Sequence, residues 1–163
     1  MEITIFKDIK ETAQPFYRDA DIILDRVRDG SSKEIIKKIR SEKDKEKINL
    51  LKQQLPAICF SGKFTKRNDN SLSQHSGLIC LDFDGYKTKR DLLQEKEKLA
   101  KNKYVYAVFI SPSGNGLKAV IKIPPIPENH KNYFIGLEKH FNSENFDKSC
   151  KNISRVCYES YDP

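Results

Sequence analysis

The chain has 163 residues, 37% of them hydrophobic and 33% charged, which is enough for one domain with its own core. It has no run of about 18 apolar residues and no long apolar stretch near Met1, so neither a helical membrane span nor a signal peptide is predicted. The 30 Lys and Arg against 23 Asp and Glu leave a net charge of +7, which favours a polyanionic partner such as nucleic acid or nucleotide phosphates. A cytoplasmic location with reduced thiols is expected.

In chain order, residues 2–6 alternate as a short strand. Residues 15–29 are predicted helical, with Phe16, Ile23 and Val27 on one face and Gly30 as the stop. Ser31 to Glu34 has the form of a capping box, and Ile35, Ile36 and Ile39 follow as an apolar stripe. Ser41 to Asp44 opens another helical stretch carrying Ile48, Leu51 and Leu55. Residues 56–60 are predicted as a strand closed by Ser61 and Gly62. Residues 63–74 are polar and predicted as a surface loop. Lys63, Lys66 and Arg67 make it basic and are the candidate contacts to a nucleic-acid strand; an ordinary solvated connector is the alternative.

From Gly77 the pattern becomes more regular. Strands are predicted over 78–84, 104–110, 117–123 and 153–159, with helices over 88–101 and 127–141. The order β-α-β-β-α-β is the split βαβ, ferredoxin-like arrangement. The predicted class is α+β: an α/β unit over 1–76 packed on an RRM-like half over 77–163, together one compact domain. The sheet is expected in the order 4-1-3-2, with helices on one face and the other face open.

The strand over 78–84 ends in Asp82-Phe83-Asp84-Gly85. Period-two alternation puts Leu78, Cys80, Asp82 and Asp84 on one face. Two carboxylates there repel each other, and a hard divalent cation would remove that cost; a solvated acidic turn is the other reading. In the expected topology Lys118 begins the third strand beside them and Asp147 precedes the fourth. Asp162, beyond that strand, would lie roughly 20 Å away and outside the site. Carboxylates around paired divalent metals suit nucleotidyl transfer. Ser111, Ser113, Gly114 and Gly116 form a turn that can offer hydroxyls and backbone N–H groups to phosphates. Lys118 would add a point charge and Arg155 a bidentate clamp. A hairpin connector and an exposed lysine are the plainer readings. Among the four cysteines, Cys59 and Cys80 read as small buried hydrophobes, and His130, His140, Cys150 and Cys157 are too loosely spaced for a zinc site to be expected.

These segments, 55–64, 75–85, 111–118 and 147–163, resemble the VirE-type N-terminal domain family of bacterial and phage proteins, a branch of the archaeo-eukaryotic primase (prim-pol) superfamily. The resemblance implies an α/β unit joined to an RRM-like catalytic half. It implies primase or polymerase chemistry with Mg2+ or Mn2+, acting on nucleoside triphosphates along a single-stranded template. Asp82 and Asp84 match the first acidic motif, Ser113-Gly114-Asn115-Gly116 the second motif, and Asp147, with Arg155 downstream, the third. Lys118 stands where such proteins usually carry a histidine. Helicase or primase-accessory domains often follow in such proteins, and the end at Pro163, just after a motif, suggests a domain cut from a longer protein. Two rivals remain. The run 79–85 also resembles the nucleophile motif of haloacid-dehalogenase-like phosphatases, with Asp82 as nucleophile. A non-catalytic module could bind single strands through Tyr104, Tyr106 and the net positive charge.

Overall fold

The computed structural model describes residues 1–163. Strand β1 (Glu2–Phe6) pairs antiparallel with β2 (Phe16–Asp19). The predicted helix from residue 15 begins instead at α1 (Ala20–Asp29), because the Asp19 side chain caps it by accepting from the Asp21 N–H. Gly30 ends α1 in the left-handed region, at φ 91°. Next come α2 (Lys33–Ser41) and α3 (Lys45–Lys52), the latter capped by Asp44. Ser32 precedes α2 but makes no capping bond, because its hydroxyl donates to the buried Glu159 carboxylate. Ile36 and Ile39 bury the inner face of α2 against Leu55.

Strand β3 (Ala57–Cys59) pairs with β1. The segment predicted as a loop holds a β-hairpin, β4 (Gly62–Phe64) with β5 (Leu72–His75). It is tied down through Thr4, whose hydroxyl donates to the Gly62 carbonyl and accepts from the Phe64 N–H. Phe64, fully buried beside Phe6, Ala57 and Cys59, is the apolar anchor that the polar composition of the segment masks.

The second half comprises β6 (Leu78–Phe83), α4 (Lys89–Ala100), β7 (Val105–Ile110), β8 (Leu117–Lys122), α5 (His130–Phe141) and β9 (Cys157–Tyr158). Its sheet has the order β6-β8-β7 with antiparallel neighbours, so β6 and β7 are parallel and α4 connects them. Ile79, Leu81 and Phe83 pack with Leu117, Ala119 and Ile121 beneath Leu92 and Leu99 of α4 and Phe134 of α5. The opposite face is not open. Leu78, Val120 and Phe109 pack there against Ile3, Ile23, Val27, Ile58 and Phe60 of the first half, so one core spans both halves.

The last strand also departs from expectation. β9 pairs with β3, giving the first sheet the order β2-β1-β3-β9. Cys157 is buried in the core shared by the two sheets, and the Glu159 N–H donates to the Pro56 carbonyl. The edge of β6 left free is lined by residues 145–147. Phe146 bridges to Phe83, the Asp84 N–H donates to Asn145 O at 2.7 Å, and the Asp147 N–H donates to Asp82 O at 2.9 Å. The structure is thus α+β with antiparallel sheets, and no helix is long and apolar enough to cross a membrane.

Where β5 meets α5, two buried imidazoles touch. His75 Nδ1 accepts from the Gly77 N–H, so its proton sits on Nε2, which faces His130 Nδ1 at 3.1 Å. Burial lowers the pKa of both; for His130 the charge of His75 adds to it, Asp69 opposes it, and the result is about 4. An unfolded chain takes up these protons near pH 6.5. Stability contributed by the neutral pair is therefore complete above about pH 6.5 and falls as pH drops towards 4. Between pH 7 and pH 4.5 the parent should lose about 2 kcal/mol more unfolding free energy than His130→Asn, at about 1.4 kcal/mol per unit of pKa shift. Denaturant titrations of both proteins at the two pH values check this, and equal losses would remove the pair as the cause.

Candidate active site

Asp82 is the next-to-last residue of β6 and lies directly opposite Lys118 on β8. Both side chains project to the face that carries Cys80, at the end of the seam between the two sheets. Asp82 is 8% exposed, and Lys118 Nζ lies 2.5 Å from its Oδ2. Burial is the largest single influence on the Lys118 pKa and lowers it, but the charge of Asp82, its hydrogen bond and the neighbouring Cys157 and Cys80 together outweigh it, so the ammonium stays protonated.

Asp147 reaches this point along the free edge of β6, through its backbone bond to Asp82 O. Its carboxylate is held from three sides. The Ser149 N–H donates to Oδ1 at 2.9 Å, the Cys150 thiol lies 3.0 Å from Oδ2, and Arg155 Nη2 is 3.9 Å from Oδ2. Partial burial pushes the Asp147 pKa up, but these donors and the Arg155 charge bring it below the ordinary value. Cys150 also lies 3.5 Å from Asp82 Oδ2. Burial and the two carboxylates raise its pKa strongly, so it is a neutral thiol that donates. One ligand atom from each of Asp82, Asp147 and Cys150 falls within 4.8 Å of the others.

Asp84 is not in that group. It stands at the exposed rim one step past β6, consistent with the rise of a strand between residues i and i+2. Its surroundings raise its pKa, first by desolvation and then through Asp82 and Asp147, against Lys118 and Lys52. Gly116 packs against it: a Cβ there would collide with Asp84 Oδ1 and lie 2.9 Å from the Phe83 carbonyl. The turn and the acidic strand end are thus in contact, and only glycine fits at that point. Within the turn, the Ser111 N–H donates to Gly116 O and the Gly114 N–H to Ser111 O, so neither is free for a phosphate. The N–H groups of Ser113, Asn115 and Gly116 have no protein acceptor. The Ser113 hydroxyl donates to Asn115 Oδ1 at 2.7 Å.

The other predicted residues separate into two kinds. Arg155 touches Asp147 and so belongs to the cluster. Lys63 is tied to Glu2 at 3.0 Å and lies over the Tyr17 ring, while Lys66 is exposed and Arg67 half-buried near Cys59 and Tyr158. Asp162 accepts from the Ile110 N–H and from Lys96, each at 2.7 Å, and serves the end of β7. His130, His140, Cys150 and Cys157 do not gather. His130 bonds His75, His140 bonds Asn102 and Cys157 is in the core. Cys150 and Arg40 are the residues missed by sequence. No spacing motif marks the thiol. Arg40, in the last turn of α2, looks like a helix-end cation, yet it reaches the turn and donates to Ser111 O at 3.2 Å.

Two carboxylates beside a protonated thiol, with Asp84 at the rim, offer mainly hard oxygen donors of the kind Mg2+ and Mn2+ accept. Among known proteins, residues 50–163 match the family described as BT4734-like, N-terminal domain. No curated protein and no solved structure matches the chain. The match includes Asp82, Asp84, the turn, Lys118, Asp147 and Cys150.

Mn2+ binding, followed by the loss of the free-ion paramagnetic signal, should fail in Asp82→Asn and Asp147→Asn. Asp162→Asn should bind Mn2+ as the parent does and show only a lower unfolding midpoint, from the weakened bonds to Lys96 and Ile110. Loss of binding in Asp162→Asn with binding kept in Asp147→Asn would reverse the assignment.

Proposed function

We propose that this chain, which belongs to the BT4734-like, N-terminal domain family, is a primase- or polymerase-like nucleotidyltransferase domain that joins nucleotides on a single-stranded template with Mg2+ or Mn2+. The observation that carries the reading is the contact between the acidic strand end and the glycine turn: Asp82 and Asp147 lie side by side, and Asp84 rests on Gly116. A cation held by carboxylates and a phosphate chain along a turn need that adjacency. The resemblance to the VirE-type branch of the prim-pol superfamily supports the same reading.

The RRM-like arrangement belongs to this proposal. The sheet β6-β8-β7 with α4 and α5 on one face supports it, and residues 145–147 on the free edge of β6 would be a shortened fourth strand. Asp82 and Asp147 would hold the cation, with Asp84 at the rim as a further oxygen ligand. Cys150 and Ser149 orient Asp147, and Arg155 limits its charge. A bound divalent cation would supply charge neutralisation for the attacking hydroxyl and the departing diphosphate. Single-stranded template would meet Lys66 and Arg67, with Lys63 already engaged by Glu2.

A second reading is favoured by one contact. Lys118 at 2.5 Å already neutralises Asp82, as in a nucleotide- or nucleic-acid-binding module that has no catalysis. The phosphatase reading loses ground because β6 and its neighbour β8 are antiparallel, where that fold needs a parallel sheet. A primer-synthesis assay with labelled nucleotides, Mn2+ and a single-stranded template separates the first two. The parent should extend and Asp82→Ala should not, while a binding module would retain template without any product.

A further inference from the structure

The predicted phosphate contact, Lys118, is 13% exposed and held by Asp82. If a phosphate chain lies along the turn, its cations have to come from elsewhere. Two side chains of the first half are available, Arg40 against the turn itself and Lys52 at the end of α3. Lys52 closes α3 and is half-buried, and its ammonium has no hydrogen-bond or ion-pair partner in the protein. Burial lowers its pKa first, Lys118 adds to this and Asp84 opposes it. Arg40 reaches the turn from α2. Its stem passes 3.5 Å from where a Gly114 Cβ would be, and one Nη2 donates to the carbonyls of Ser111 and Tyr161. No carboxylate pairs with it, since Asp162 nearby is bonded to Lys96 and Ile110. Its Nε and Nη1 have no protein partner, although guanidinium favours two-pronged carboxylate or phosphate contacts. The N–H groups of Ser113, Asn115 and Gly116 add free donors on the same turn.

We propose that Arg40 and Lys52 form, with this turn, an oligophosphate-binding site that takes the triphosphate of the incoming nucleotide. The inference rests on the transferase reading for the identity of its ligand. The division of labour is then clear: carboxylates of β6 and its edge hold the cation, and the helices before them hold the phosphates. The first half of the chain would be part of the substrate site and not only a cover for the sheet.

The probe is inorganic tripolyphosphate, titrated calorimetrically into the whole chain without metal. Lys52→Gln and Arg40→Lys should each weaken binding by about tenfold or more, the loss expected of a hydrogen bond to a charged group. Lys98→Gln, an exposed lysine on α4 paired with Glu95, serves as the charge control and should bind as the parent does. Unfolding midpoints accompany each variant, so a misfolded Arg40→Lys leaves Lys52→Gln to decide. Parent protein that does not bind tripolyphosphate, or Lys52→Gln that binds no worse than Lys98→Gln, overturns the proposal. The two readings fail differently. Tripolyphosphate binding that depends on Lys52, with no primer synthesis, would keep the anion site and sink the transferase. Primer synthesis with Lys52→Gln unimpaired in binding and in KM for nucleotide would do the reverse.

Discussion

The ion pair between Asp82 and Lys118 is the constraint around which this structure is arranged. The two residues face each other across β6 and β8, and both are nearly buried. A slip of one strand by one residue in that register would turn one of the two to the other face, into the Leu92, Leu99 and Phe134 core, and leave its partner alone. An unpaired charge there would cost several kcal/mol. The pair therefore fixes the register of the sheet, and through it the end of β6 from which Asp84, Gly116 and Asp147 are positioned. A buried ion pair is nevertheless a poor source of net stability, since desolvation of both groups offsets their attraction. Apolar residues would hold the two strands as well, so the pair is better explained by what the carboxylate can do.

The two halves of the chain cannot be separated without dismantling that setting. One face of the β6-β8-β7 sheet is covered by helices and the other by the first sheet and α1, and a single cluster runs from Ile3 to Val120. The C-terminal segment binds them further. Glu159, 1% exposed, accepts from Arg26 of α1 and from Ser32 before α2, while the Ser160 hydroxyl donates to the Ile110 carbonyl. Tyr161 O accepts from Arg40. A segment that reads from sequence as a strand of the second sheet thus anchors the helices of the first half over the turn after β7.

Much of this was legible in the sequence, and the failures have particular causes. The β6 strand, α4, β7, the glycine turn and β8 follow from local signals: an apolar run, a Thr88 cap, a β-branched run and a turn with two glycines. The face assignment of Asp82 and Lys118 follows from period two alone. The last strand could not be assigned by local pattern, because two sheets compete for it. The burial of Cys157 and Glu159 decides in favour of β3, and both are long-range contacts. Asp147 still comes beside Asp82, by a different route from the one the expected strand order supplied: an edge bridge at Phe146 does the work of a paired strand. The hairpin over 62–75 was hidden because its one fully buried apolar side chain, Phe64, stands among polar neighbours.

The electrostatics of the site follow from these placements. Asp82, Asp84 and Asp147 bring three negative charges to one strand end, and Lys118 and Arg155 offset two of them. Desolvation and the remaining repulsion fall on Asp84, whose pKa is raised while that of Asp147 is lowered. The carboxylate with the fewest donors is thus the one at the rim, beside the turn and within the field of Lys52. A cation bound as proposed would find Asp84 at the rim and would compete with Lys118 only for Asp82. That competition would set two positive charges against one carboxylate, with Lys118 carried on the central strand of its sheet. A divalent ion would be favoured over the ammonium to the extent that Asp147 and Asp84 added their oxygens to that of Asp82.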